Sequence, residues 1–164
     1  MKKFTLVMVM TFCVSLICSA KSFYYYGVGF EYERGWHVSG SPNGIVGSND
    51  ESRIYISFSQ IHTKHTNMNR YVSAELEKKI NDIIERGYSN KKIKLRKKSE
   101  ILEGEINGIP VQFVDMSFSG KVCKRYYCFE HQGYLFDIEI SGEGNNFYKA
   151  FKKILNSFAF VPER

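Results

Sequence analysis

The sequence predicts an α+β fold: an antiparallel β-sheet flanked by two amphipathic helices. Three observations carry this. Ile54, Ile56 and Phe58 alternate with Tyr55, Ser57 and Ser59, the pattern of a strand buried on one face. Asn107-Gly108 and Gln132-Gly133 are tight hairpin signals that join strands directly and so make them antiparallel. Two stretches carry apolar residues at three- and four-residue steps, which supplies helices to cover an apolar sheet face.

The chain opens on Lys2 and Lys3, then an apolar run from Phe4 to Ile17, then the small residues Cys18, Ser19 and Ala20. This is the layout of a secretory signal, so residues 1–20 are read as a signal peptide and 21–164 as one domain. The run is short of the roughly 20 residues a membrane span needs. An uncleaved anchor and a lipidated Cys18 are the competing readings. Ile17 disfavours lipidation, because that chemistry wants a small residue before the cysteine. A domain of this length buries one hydrophobic core without disulfide staples.

Two of the 23 Lys+Arg and none of the 17 Asp+Glu fall in residues 1–20, which leaves a net charge of +4 on the rest. So mild a bias suits weak attraction to anionic surfaces and does not argue for nucleic acid. No second apolar run is long enough to span a bilayer. Cys123 and Cys128 remain after cleavage. Five residues apart on one straight strand, they would be about 16 Å apart, against the roughly 7 Å a disulfide tolerates. Free, half-buried thiols are expected.

Along the domain, Tyr24 to Tyr32 is aromatic and β-prone, and Arg34-Gly35 turns the chain before Trp36 and Val38 resume the alternation. Ser39 to Ser52 is rich in Gly, Ser, Asn and Pro and reads as a loop with a short strand at Ile45 and Val46. Arg53 to Ile61 is a strand. Val72, Leu76, Ile80, Ile83 and Ile84 form one helical stripe, with Asn69 as the expected cap and Gly87 as the expected stop. Lys92 to Leu102 alternates loosely. Val111 to Phe118, Val122 to His131 and Tyr134 to Ile140 form a meander. A last helix is expected from about Asn146 to Ser157, capped by Asn145, with Phe147, Phe151, Ile154, Leu155 and Phe158 inward. Phe158-Ala159-Phe160 leaves it as a short terminal strand.

Two stretches carry a family likeness. One is Gly29-Phe30-Glu31-Tyr32-Glu33-Arg34-Gly35-Trp36-His37-Val38. The other runs from Asn107-Gly108-Ile109-Pro110 through Gly133-Tyr134 to Asn156-Ser157-Phe158. Together they resemble the Mog1/PsbP-like family of small α+β domains. Glu33 stands where many members have Pro. The resemblance implies an α/β/α-type sandwich around an antiparallel sheet. Members are photosystem assembly subunits, nuclear-transport binding proteins and bacterial envelope proteins, which act mostly by binding other proteins. The family has no catalytic residue set to carry over.

Candidate sites are sparse. Lys91, Lys92, Lys94, Arg96, Lys97 and Lys98 form a basic run that reads first as an edge strand guarded by charge, and otherwise as a patch for an anionic partner. Tyr24, Tyr25, Tyr26 and Trp36 could line a contact surface or pack in the sheet. His62 and His65 flank Lys64 with no carboxylate nearby, fewer ligands than a zinc site needs. Cys128 and His131 are three apart on a strand and point to opposite faces, so they make no dyad. The expectation is an exported, non-enzymatic binding or interaction module of a bacterial cell envelope, periplasmic or secreted. It binds a protein partner or an anionic surface and needs no metal or cofactor. The alternative is a small-ligand carrier using an aromatic groove.

Overall fold

The structure, a computed structural model, describes residues 21–25, 27–42, 44–63, 65–89, 94–144 and 147–160. The signal-peptide reading, Tyr26, Lys64, Lys91, Lys92 and the cap at Asn145 lie outside these residues.

The order of elements is β1 (Lys21–Tyr25), β2 (Val28–Tyr32), β3 (His37–Ser41), β4 (Gly44–Ser48), β5 (Ser52–Gln60), α1 (Met68–Ser89), β6 (Leu95–Lys98), β7 (Leu102–Ile106), β8 (Ile109–Phe118), β9 (Val122–His131), β10 (Tyr134–Glu143), α2 (Lys152–Ser157) and β11 (Ala159–Phe160). Every strand pairing is antiparallel. The main sheet runs β3-β4-β5-β10-β9-β8-β6, and β7 also pairs with β8. A small sheet, β1-β2-β11, lies apart from it.

Two apolar clusters sandwich the main sheet. On one face Ile54, Ile56, Tyr127, Phe129, Phe136, Ile138 and Ile140 meet the small sheet and α2 through Val28, Phe30, Ile154 and Phe158. On the other, Val114, Met116, Tyr126, Cys128 and Leu135 meet Val72, Leu76 and Ile80 of α1. Alternation sorts them: in β9, Tyr126 and Cys128 face α1, while Tyr127 and Phe129 face the small sheet. Two flanking helices were expected. Helix α1 is one flank, whereas α2 has six residues, follows a 3₁₀ segment at Phe147–Phe151 and shares its face with three strands.

The chain departs from the sequence reading in several places. Tyr24 to Tyr32 is a hairpin, turned where Gly27 adopts φ 75°. Most of the expected loop at 39–52 is the β3–β4 hairpin. Its glycines make room for large neighbours: a Cβ at Gly40 would lie 2.4 Å from the Tyr25 ring, and one at Gly47 would lie 2.8 Å from Ile54. Of the stretch expected as one strand, Leu95–Lys98 is β6 and Leu102 opens β7, with residues 99–101 outside both. Helix α1 is capped by Asn67, whose Oδ1 accepts the Arg70 amide at 3.0 Å, and it continues two residues past Gly87. The two strong hairpin signals are as read: Asn107 and Gly108 have φ 47° and 82°, and Gln132 and Gly133 have φ 51° and 82°. Positive φ at both central residues is the turn that matches strand twist.

Candidate functional site

The outer edge of β8 carries two short strands end to end. Strand β7 pairs with its first half, from Leu102 opposite Phe113 to Ile106 opposite Ile109. Strand β6 pairs with its second half, Lys97 opposite Ser117 and Lys98 opposite Met116, with an irregularity between Leu95 and Lys97. Between them Ser99 holds the edge: its amide donates to the Asp115 carbonyl (2.9 Å), and its hydroxyl accepts the Asp115 amide (3.0 Å).

Register decides which way each charge points. Lys97 shares a face with Ser117, Asp115 and Arg125. Lys98, with Met116, faces the α1 side, as does Glu103 opposite Gln112. Arg96 sits in the irregularity. Lys94 is exposed just ahead of β6, with its amide on the Ser119 hydroxyl at 3.0 Å.

Beside Lys97 lies a cluster built around Arg125. Asp115 and Arg125 are cross-strand partners on β8 and β9. The guanidinium donates from Nε to Oδ1 (2.6 Å) and from Nη2 to Oδ2 (2.8 Å), a two-pronged clamp that holds it flat. Its Cζ lies 4.3 Å from the Phe113 ring centre, 5.8 Å from Tyr127 and 5.6 Å from Tyr148. Burial works against the Arg125 charge, but the hydrogen bonds it donates to Asp115 and to the Tyr127 hydroxyl oxygen outweigh it and hold the guanidinium more firmly charged. A cleft of ≈ 330 Å³ opens here between β6 and the 3₁₀ segment, lined by Lys97, Ser99, Asp115, Arg125, Phe147 and Tyr148 among others. Tyr148, 41% exposed, forms one wall.

Two more clefts open along the same edge. One of ≈ 360 Å³ lies between Met68 and Val72 of α1 and Glu103 and Gly104 of β7. The other, ≈ 420 Å³, lies between Ile80 of α1 and residues 98–101.

The remaining sequence candidates do not join this surface. Trp36 is buried at 8% exposure, its ring edge-on to Phe151 at 5.4 Å. Tyr25 covers Gly40, and Tyr24, 67% exposed, lies over Gly29. His65 stacks flat on Tyr71 at 3.7 Å, His62 is exposed, and His131 meets the edge of Phe160. Cys123 and Cys128 are free thiols on opposite faces of β9. Cys128 is fully buried, and its thiol is pushed up by burial and then by the Asp137 carboxylate. Burial also raises Tyr126, helped by Glu139, and Tyr127, against the pull of Arg125.

Sequence reasoning found the basic edge and missed the Arg125 cluster. A signal for it existed. A hairpin from 111–118 to 122–131, turned about Gly120, sets Asp115 against Arg125 and Phe113 against Tyr127. Tyr148 lies too far along the chain for any register to place it there.

No family model matches the chain, and no curated protein is similar to it in sequence. Solved structures are similar. The cyanobacterial PsbP (CyanoP) of Synechocystis has a TM-score of 0.56 at 16% identity, over 90% of this chain and 96% of that one. The Ran-binding protein Mog1p of Saccharomyces cerevisiae has a TM-score of 0.54 at 12% identity, over 88% and 96%. The fold is Mog1/PsbP-like. LpqN, involved in cell envelope biogenesis of Mycobacterium tuberculosis, shares this Mog1/PsbP-like fold with a TM-score of 0.51 at 12% identity, over 88% and 86%. At these identities the likeness concerns fold alone. No helix among the described residues is long and apolar enough to cross a membrane.

Proposed function

We propose that the chain is an exported, non-enzymatic binding module of a bacterial cell envelope, and that its partner, a protein, is held in the Arg125 cleft. The observation that carries this is the cluster itself. A guanidinium fixed by Asp115 and flanked by three aromatic rings is a rigid, planar surface that loses little entropy on contact, and Arg and Tyr are the side chains that dominate binding energy. Lys97 at the rim favours an acidic partner surface.

Proton chemistry gives a second support. A general acid or base works best with a pKa near the working pH. Among the described residues, five groups are driven away from neutrality. Tyr71, Tyr126, Tyr127 and Cys128 are held neutral, and Arg125 is held charged. Export rests on residues 1–20. The envelope role of LpqN and the Ran binding of Mog1p are functions of those proteins that fit an interaction role here.

Native mass spectrometry on the protein recovered from its own host tests the reading. A stoichiometric protein partner is expected, retained by the native chain and lost from Tyr148→Ser and Lys97→Glu at unchanged thermal midpoint. A monomer carrying a small apolar ligand would move the assignment to a carrier. A partner indifferent to both substitutions would remove the cleft from the argument.

A further inference from the structure

The β6–β7 segment leaves its outer backbone unpaired, because both strands pair only with β8 among the described residues. Such an edge is a ready template for another strand. Its charges are ordered along its length. Lys94, Arg96, Lys97 and Lys98 occupy one half, and Glu100, Glu103 and Glu105 the other. None of the seven forms an ion pair with a described residue. Edge lysines alone would simply repel a neighbouring sheet. A basic half beside an acidic half does something else: it repels a second copy laid parallel and attracts one laid antiparallel.

We infer that this edge is a self-association surface, on which two copies pair β6–β7 against β6–β7 about a twofold axis passing between Glu100 and Ile101. That axis sets Lys98 opposite Glu103 of the second copy, and Arg96 opposite Glu105. Lys98 and Glu103 both face the α1 side, so a twofold axis along the sheet normal brings them together on one face. Each contact occurs twice, as in any closed two-copy assembly. Leu102, an exposed large apolar side chain at 41%, falls opposite Ser99 and is covered. The parallel alternative stacks Lys on Lys and Glu on Glu. The surface is small, so the dimer is expected in the weak class of interfaces. This inference rests on the edge and not on the cleft partner, so either can fail without the other.

Sedimentation equilibrium of the full-length protein, at low and high salt, tests it. A concentration-dependent dimer that weakens with salt is expected. Lys98→Glu alone, or Glu103→Lys alone, is expected to raise the dissociation constant about tenfold, since each places like charges opposite one another twice. The double variant Lys98→Glu/Glu103→Lys restores the pairs and returns the constant to within about threefold of the native value. Both side chains are exposed, so the variants fold, and thermal midpoints check this. A chain that stays monomeric at all concentrations overturns the proposal. So does a dimer that ignores the single swaps, or one the double swap fails to rescue. A monomeric variant that still retains its partner leaves the cleft reading intact.

Discussion

Phe136 shows what a single side chain does in this core. Its ring stacks on Phe129 at 5.1 Å and meets Phe58, Phe158 and Phe160 at 5.7, 5.8 and 5.8 Å. It therefore ties the main sheet to the terminal strand. Phe136→Ala removes a fully buried ring from all four contacts and is expected to cost about 3–5 kcal/mol, read from urea unfolding midpoints. Cys128 makes a prediction of a different kind. Its folded pKa lies above its unfolded value, which is about 8.5. The folded state then keeps a proton that the unfolded state gives up, so this contribution is full below pH 8.5 or so and declines as pH rises through the alkaline range. Above the unfolded value the slope is about 1.4 kcal/mol per pH unit for one thiol. Cys128→Ala should flatten the fall in stability between about pH 9 and pH 10, before tyrosines dominate it. An unchanged slope would mean that the thiol is not held neutral by burial. The Asp115–Arg125 pair was readable from hairpin register, whereas the stack of Tyr148 on Arg125 was not, because it depends on where the last helical segment crosses the sheet.

Elements with strong local chemistry were legible, and those made by long-range packing were not. Positive-φ turns at Asn107-Gly108 and Gln132-Gly133 fix their hairpins within four residues. The α1 stripe of Val72, Leu76 and Ile80 is likewise set by helical period. The β3–β4 hairpin reads as loop because its glycines lack β-propensity, yet Gly40 and Gly47 are there to seat Tyr25 and Ile54, residues from other strands. Gly44 is the sharpest case: it has φ 140°, and a Cβ there would lie 2.1 Å from the Ile56 carbonyl oxygen. Gly44→Ala pushes against backbone that cannot yield, so a loss of more than about 2 kcal/mol is expected from thermal melts, along with displacement of β4 from β5. The cap of α1 lies two residues before the expected Asn69, because it is Asn67 Oδ1 that accepts the Arg70 amide. Asn67→Ala is expected to cost about 1 kcal/mol and Asn69→Ala much less, as compared by circular dichroism on melting.

For the whole molecule the decisive feature is that β9, in the middle of the main sheet, feeds both apolar clusters, as its neighbour β8 does, whereas β10 serves the small-sheet side through Phe136, Ile138 and Ile140 and the α1 side through Leu135. Tyr126, Tyr127, Cys128 and Phe129 are consecutive and buried, alternately to α1 and to the small sheet. Opening β9 therefore exposes both cores at once, and opening β10 breaks its pairing to β5 and β9 together, which ties the amides of both strands to global unfolding. Strands β3 and β6 lie at the ends of the sheet and have one neighbour each, so they can open alone. Hydrogen exchange should accordingly rank β9 and β10 slowest, and β3 and β6 fast, in dilute solution. Raising the protein concentration separates the two edges. A second copy laid along β6–β7 would protect Leu95–Lys98 and Leu102–Ile106 and leave His37–Ser41 unchanged, because β3 carries no ordered run of opposite charges. Equal protection of both edges would point to indiscriminate edge pairing. Protection at neither would leave the charges of β6 and β7 as guards against association rather than a guide to it.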